Sequence, residues 1–81
     1  MEIKHFRLIK TIAEEGNISS SSTRLFLTKS ALSHQLRELE EQLGFKVFHR
    51  ARNRWRLTEE GDALQDLATE EFSRIENGFQ H

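Results

Sequence analysis

The 81 residues contain no cysteine, which rules out a disulfide framework and a thiolate metal site. The four glycines, Gly16, Gly44, Gly61 and Gly78, stand apart from one another. They form no phosphate-cradling loop, and each instead punctuates the chain between periodic segments. No apolar run approaches the length that spans a bilayer, and the opening MEIKHFRLIK is too charged for a secretory signal. One small domain with no membrane segment, in the cytoplasm, is therefore expected. The histidines His5, His34, His49 and His81 fall on four different segments without ligand-like spacing, so no structural zinc site is expected. Glu38, Glu40 and Glu41 read as a solvated helix face. Nothing arranges serine, histidine and acid into a triad, and so small a chain has little room for a catalytic cleft. An enzyme is not expected.

The formal net charge of -1 conceals a division. From Met1 to Leu57 there are eleven Lys and Arg against six acids, and from Thr58 to His81 one Arg against seven acids. A basic body is followed by an acidic tail, so near-neutrality of the whole does not argue against a polyanionic partner.

The stretch from Thr28 to Gly44 organises the rest. Leu32, Leu36, Leu39 and Leu43 recur at steps of four, three and four, which places them on one helical face. Thr28 can cap the start and Gly44, which tolerates left-handed geometry, can end it. Lys29, Ser30, Ser33, His34 and Arg37 fall on other faces. Such a helix fits a groove, or it is a core helix with a solvated face.

Before it, Ile3, Phe6, Ile9, Ile12 and Ala13 mark an amphipathic helix over Glu2 to Glu15 that ends before Gly16 and Asn17. Ser19 is the expected cap of a shorter second helix, with Ser22, Leu25 and Phe26 facing inward. Its four consecutive serines are poor helix formers, so a serine-rich loop is the alternative. After Gly44, Val47 and Phe48 and then Trp55 and Leu57 read as two short strands around the polar turn His49 to Arg54, a two-stranded wing. Lys46, Arg50, Arg52, Arg54 and Arg56 crowd this ribbon without an acid. Thr58 is the expected cap of a last helix of about 20 residues, about 30 Å long. Its stripe of Leu64, Leu67, Ala68, Phe72, Ile75 and Phe79 outruns so small a body, and a second copy of the same helix would cover the excess. The fold expected is mainly α, a winged helix-turn-helix over residues 1–58 with a two-stranded β wing and a long linker or dimerisation helix over 59–81.

The run Ala31-Leu32-Ser33-His34-Gln35-Leu36-Arg37-Glu38-Leu39-Glu40, with Leu43-Gly44, Phe48, Arg50, Leu57-Thr58 and Gly61 at these distances, resembles the amino-terminal domain of LysR-type bacterial transcriptional regulators. The likeness covers essentially the whole chain. It implies sequence-specific binding of double-stranded DNA by a homodimer, or a tetramer at full length. It also implies a separate carboxy-terminal effector domain, outside these residues, that binds a small co-inducer and adjusts contact with RNA polymerase. No cofactor is expected within this stretch. Matched residue by residue, the resemblance assigns Lys29, Ser33 and His34 to base reading and Ser30, Arg37, Arg50, Arg52 and Arg54 to groove or phosphate contacts. Leu64, Ala68, Phe72, Ile75 and Phe79 fall to dimerisation.

Two pairs of residues depart from the family pattern. Ser21 and Ser22 stand where alanines are usual, and buried hydroxyls need partners. Lys29 and Ser30 replace the usual glutamine and proline, and lysine favours guanine edges whereas glutamine can pair with adenine. A module that binds protein through its terminal helix, with basic charge serving only solubility, is the other reading of the chain.

Overall fold

The computed structural model of the chain describes residues 2–67. Three helices, α1 (Ile3–Glu15), α2 (Ile18–Arg24) and α3 (Lys29–Leu43), precede the strands β1 (Phe48–Ala51) and β2 (Arg54–Leu57). A further helix, α4, covers residues 59–67. The strands pair antiparallel with Phe48 opposite Leu57 and Arg50 opposite Trp55. Arg52 and Asn53 both hold left-handed backbone, φ 53° and 65°, as a tight two-residue hairpin turn requires. The expected wing is present. Ala68, Phe72, Ile75 and Phe79, and with them most of the expected long helix, lie outside the described residues.

α1 is the central helix, packed against α2, α3 and β2. It buries Phe6, Ile9 and Ile12 as its periodicity predicts, and also Leu8, His5 and Thr11. A helix with neighbours on three sides is covered over a wider arc than one stripe. Ile3, expected in that stripe, is exposed because it begins the helix beyond those neighbours. Leu32, Leu36 and Leu39 of α3 meet Leu8, Ile9, Ile12, Val47 and Phe48 in one core.

α2 forms as a helix rather than a serine-rich loop, but its cap is not Ser19. The Asn17 side chain accepts from the Ser20 amide at 2.7 Å, so the helix starts two residues earlier than expected. The buried hydroxyls are satisfied within α2: Ser21 Oγ donates to the Asn17 carbonyl at 2.6 Å and Ser22 Oγ to the Ser19 carbonyl at 2.8 Å. Serine therefore fits where an alanine would, at no cost in unpaired polar groups. Phe26, expected to face inward, is 95% exposed. It takes a left-handed φ of 56° in the short link between α2 and α3, which turns its side chain away from the core. Nothing in the structure explains why a phenylalanine stands there.

α3 has the expected ends. Thr28 Oγ1 accepts from the Ala31 amide at 3.0 Å, and Gly44 closes the helix at φ 82°.

The junction between the wing and α4 centres on Val47. The Thr58 amide donates to its carbonyl at 2.9 Å. Thr58 Oγ1 donates to the Lys46 carbonyl at 2.6 Å while accepting from the Gly61 amide at 3.0 Å, which caps α4. A Cβ on Gly61 would stand 2.3 Å from the Val47 carbonyl oxygen. Gly61 thus allows the backbone of α4 to lie directly on the wing root. Glycine-to-alanine exchange inside a helix ordinarily adds roughly 1 kcal/mol through propensity. Here Gly61→Ala should instead lower the unfolding free energy by about 1–3 kcal/mol, because the collision is with backbone. A urea-unfolding midpoint measures it, and an unchanged or raised midpoint would refute the close approach.

Candidate nucleic-acid interface

The polar side of α3 is set by what its apolar side must do. With the leucines turned into the core, Lys29, Ser30, Ser33, His34 and Arg37 line one shared surface depression at the start of the helix. Lys29, Ser30, His34 and Arg37 are exposed and Ser33 is half-buried. His34 Nε2 stands 3.6 Å from Glu38 Oε2 one turn on, an exposed pair that contributes little stability. The five residues predicted to face a groove are thus brought together. They offer an ammonium, a guanidinium, an imidazole and two hydroxyls, a set suited to base edges and phosphate oxygens.

The wing stands beside them. A cleft of about 490 Å³ separates α3 from the hairpin, with Ser33, Arg37 and Glu40 on one wall and Lys46, His49 and Arg50 on the other. Leu36, Phe48 and Trp55 form its apolar floor. The Arg50 guanidinium lies 5.9 Å from the centre of the Trp55 ring, and that ring meets Phe48 edge-on at 6.4 Å. This cation–π stack holds Arg50 over the cleft. Arg52 is at the tip of the hairpin.

The remaining wing arginines stand elsewhere. Side chains alternate across a ribbon, so Arg54 and Arg56 are on the face opposite Arg50. There they line a second depression with Glu59 and Asp62 of α4. The Arg54 guanidinium lies over Gly16, close enough to collide with a Cβ at that position, and the Trp55 amide donates to the Gly16 carbonyl at 2.9 Å. The sequence places Arg50, Arg52 and Arg54 in one group; in space they occupy one face, the tip and the other face.

Glu40 is not a solvated carboxylate, and this corrects the reading of the acids beside the leucine stripe. Only 11% of its side chain is exposed. Its Oε2 accepts from the Val47 amide at 2.8 Å and, at 3.5 Å, from the Phe48 amide, while Oε1 lies 3.5 Å from Lys46 Nζ. The signal was available: Glu40 stands one turn after Leu36 and two after Leu32, at the edge of the buried face. Lys46 also belongs to the cleft, and His49, opposite Arg56 in the ribbon, borders both depressions.

Arg24 is held away from this surface. It bonds Glu14 and Glu15 at 2.9 and 3.0 Å, and hydrogen bonds with Glu14 first and Glu15 second raise its pKa further above the ordinary value. Among the described residues no three His, Asp or Glu side chains gather as a metal site, and no helix is long and apolar enough to cross a membrane.

Residues 3–62 match the family model described as bacterial regulatory helix-turn-helix protein, lysR family. The chain is 38% identical over its whole length to the HTH-type transcriptional regulator MetR of Buchnera aphidicola, and 34% identical over 80 residues to MetR of Escherichia coli K12. It spans 26% and 25% of the length of these relatives. Its fold superposes with a TM-score of 0.86 on BenM_DBD in the crystal structure of the BenM_DBD/benA site 1 DNA complex, at 27% identity, covering 99% of this chain and 90% of that one.

A non-glycine residue in left-handed backbone stores strain, and Arg52 keeps a cation at the wing tip despite it. Arg52→Gly should relieve that strain and stabilise the fold by about 1 kcal/mol, net of glycine's larger unfolded-state entropy. In a domain of this size that is a rise in melting temperature of about 4–8 °C, readable by circular dichroism; a fall would show that the Arg52 side chain supports the hairpin.

Proposed function

This chain belongs to the LysR family of bacterial regulatory helix-turn-helix proteins, and from that premise we propose that it reads double-stranded DNA in the regulation of transcription. α3 is the recognition helix, lying in the major groove with Lys29, Ser33 and His34 toward base edges and Ser30 and Arg37 toward groove walls and phosphates. Arg50 and Arg52 hold backbone or minor groove from the wing, with Arg54 at its far side. The observation that carries this reading is the convergence of the five polar residues of α3 on one surface, two of which, Ser33 and Arg37, also line the cleft shared with Arg50 and Lys46. The likeness to BenM_DBD, solved in a DNA complex, supports it. This is a binding activity and not an enzymatic one.

The reading extends to a homodimer joined through Leu64, Ala68, Phe72, Ile75 and Phe79. Of these only Leu64 is among the described residues, where it is half-buried against the chain's own core. Two copies related by a two-fold axis would take a partly palindromic site. The full-length regulator, cytoplasmic and a dimer or tetramer, would add a domain for a small-molecule co-inducer and contact with RNA polymerase. The kinship to MetR, and the run Ser30 to Gln35, which resembles the methionine-biosynthesis regulators, support a place among those regulators.

Selection from a randomised duplex pool at two salt concentrations tests the function. Enrichment of an interrupted palindrome with steep salt dependence is expected, and no binding at low salt would refute it. Arg50→Ala should weaken binding to all sequences alike and lower the slope of log K against log salt by about one unit, the share of one phosphate. Lys29→Ala should instead change which bases are enriched, with a good contact worth about 1–3 kcal/mol of discrimination. Equal losses on selected and random duplex would remove Lys29 from base reading.

A further inference from the structure

We propose that Glu40 is a positioning residue for the wing: through the amides of the wing root, its carboxylate sets where Arg50 and Lys46 stand relative to the base-facing surface of α3. The inference rests on the DNA-binding reading above.

Charge gives only a small reason for an acid here: Oε1 lies 3.5 Å from the exposed Lys46 ammonium, and a pair with so exposed a partner contributes little. The cleft is lined by Arg37, Lys46, His49 and Arg50, and a carboxylate among them repels the polyanion they would hold. Geometry supplies the reason. Glu40 is on the same helix as the base-facing residues, and its Oε2 is bonded to the amide of Val47, a fully buried residue. It is the one hydrogen-bonded link between α3 and the wing root among the described residues. Phe48, the next residue, begins β1 and sets the register of the hairpin against Leu57. Arg50 follows two residues later on the same face of the ribbon. β2 is tied separately to the end of α1 through the Trp55 amide and the Gly16 carbonyl, so a shift of the Val47 amide tilts β1, and Arg50 with it, away from α3. Leu36 and Phe48 also pack across this junction, but apolar contact is non-directional and lets the ribbon slide, whereas a carboxylate on an amide fixes a direction.

The two explanations predict opposite signs. If Glu40 acts only as a charge, removing it tightens binding. If it positions the wing, removing it loosens binding and takes wing contacts out of the salt dependence.

The experiment titrates the 81-residue chain, wild type and Glu40→Ala, Glu40→Asp and Glu40→Gln, each with and without Arg50→Ala, against a randomised DNA duplex at several salt concentrations. Circular dichroism reports the folded fraction of each. Glu40→Ala is expected to bind more weakly, with a slope about one unit shallower, and Arg50→Ala should then cost nothing further. Glu40→Asp keeps the charge but withdraws the carboxylate by one methylene, so it should show the same loss; it decides the matter if the alanine variant does not fold. Glu40→Gln keeps an acceptor for the amide and should retain the slope and bind at least as tightly as wild type. Tighter binding by Glu40→Ala, or an unchanged slope in the folded Ala and Asp variants with Arg50→Ala still costing its full unit, would overturn the proposal. Absence of salt-dependent binding by the wild type would overturn the DNA-binding reading itself, and this inference with it.

Discussion

The structure depends on the backbone of one buried residue, Val47. Its amide is held by a carboxylate of α3 at 2.8 Å and its carbonyl accepts from the Thr58 amide at 2.9 Å, so a single residue joins α3, the wing and the start of α4. Its side chain is fully buried in the core the helices share. A buried amide without a partner costs about 1–3 kcal/mol, a large part of what a domain this small has in hand. A two-stranded ribbon is not stable alone, and here its root is bonded from both sides. Gly61 belongs to the same arrangement, because any side chain there would occupy the space of the Val47 carbonyl.

That junction explains how a wing with so many cations takes a defined pose. Like charges on a ribbon repel, and the fold separates them. Arg50 is stacked on Trp55 over the cleft, Arg52 is at the tip, and Arg54 and Arg56 are on the far face beside Glu59 and Asp62. The far-face cations have acids and Gly16 near them, whereas Arg50 faces Arg37 across the cleft. The ribbon therefore presents uneven positive potential, strongest toward α3, where a polyanion would relieve it.

Most of the framework was legible because it rests on periodicity and local chemistry. The leucines of α3, the Thr28 and Thr58 caps, the Gly44 stop and the hairpin follow from residue type at fixed spacing. What spacing does not carry was misread. Asn17 rather than Ser19 caps α2, since several residues in that run are competent caps and only packing chooses among them. Phe26 was placed inward by its hydrophobicity, but the reversal between α2 and α3 sets its direction. Glu40 looked like any acid beside a leucine stripe because its partners are backbone amides, which carry no residue-type signature. That the five polar residues of α3 share one surface was legible for the converse reason: once the leucines are buried, the opposite surface of a helix is determined. The wing arginines were not, because alternation along a ribbon divides neighbours in sequence between two faces.

Net charge is a poor guide to such a molecule. The Debye length is about 8 Å at physiological ionic strength, so an acid farther away than that does little to cancel a cation on the α3 surface. Charges that pair locally do cancel, and Arg24 with Glu14 and Glu15 is one such set. Lys29, Arg37, Arg50 and Arg52 have no carboxylate partner among the described residues, and they stand on α3 and on the part of the wing that faces it or forms its tip. The acids of α4's first turn, Glu59 and Asp62, line the depression with Arg54 and Arg56 on the far side of the ribbon. A chain of formal charge -1 can thereby keep a cationic surface on α3 and the wing, because among the described residues several acids stand beside cations that do not face the cleft. Glu40 is the acid that lines the cleft itself, its carboxylate divided between the Val47 amide at 2.8 Å and Lys46 Nζ at 3.5 Å, so that its charge is tied to the root of the ribbon that carries Arg50.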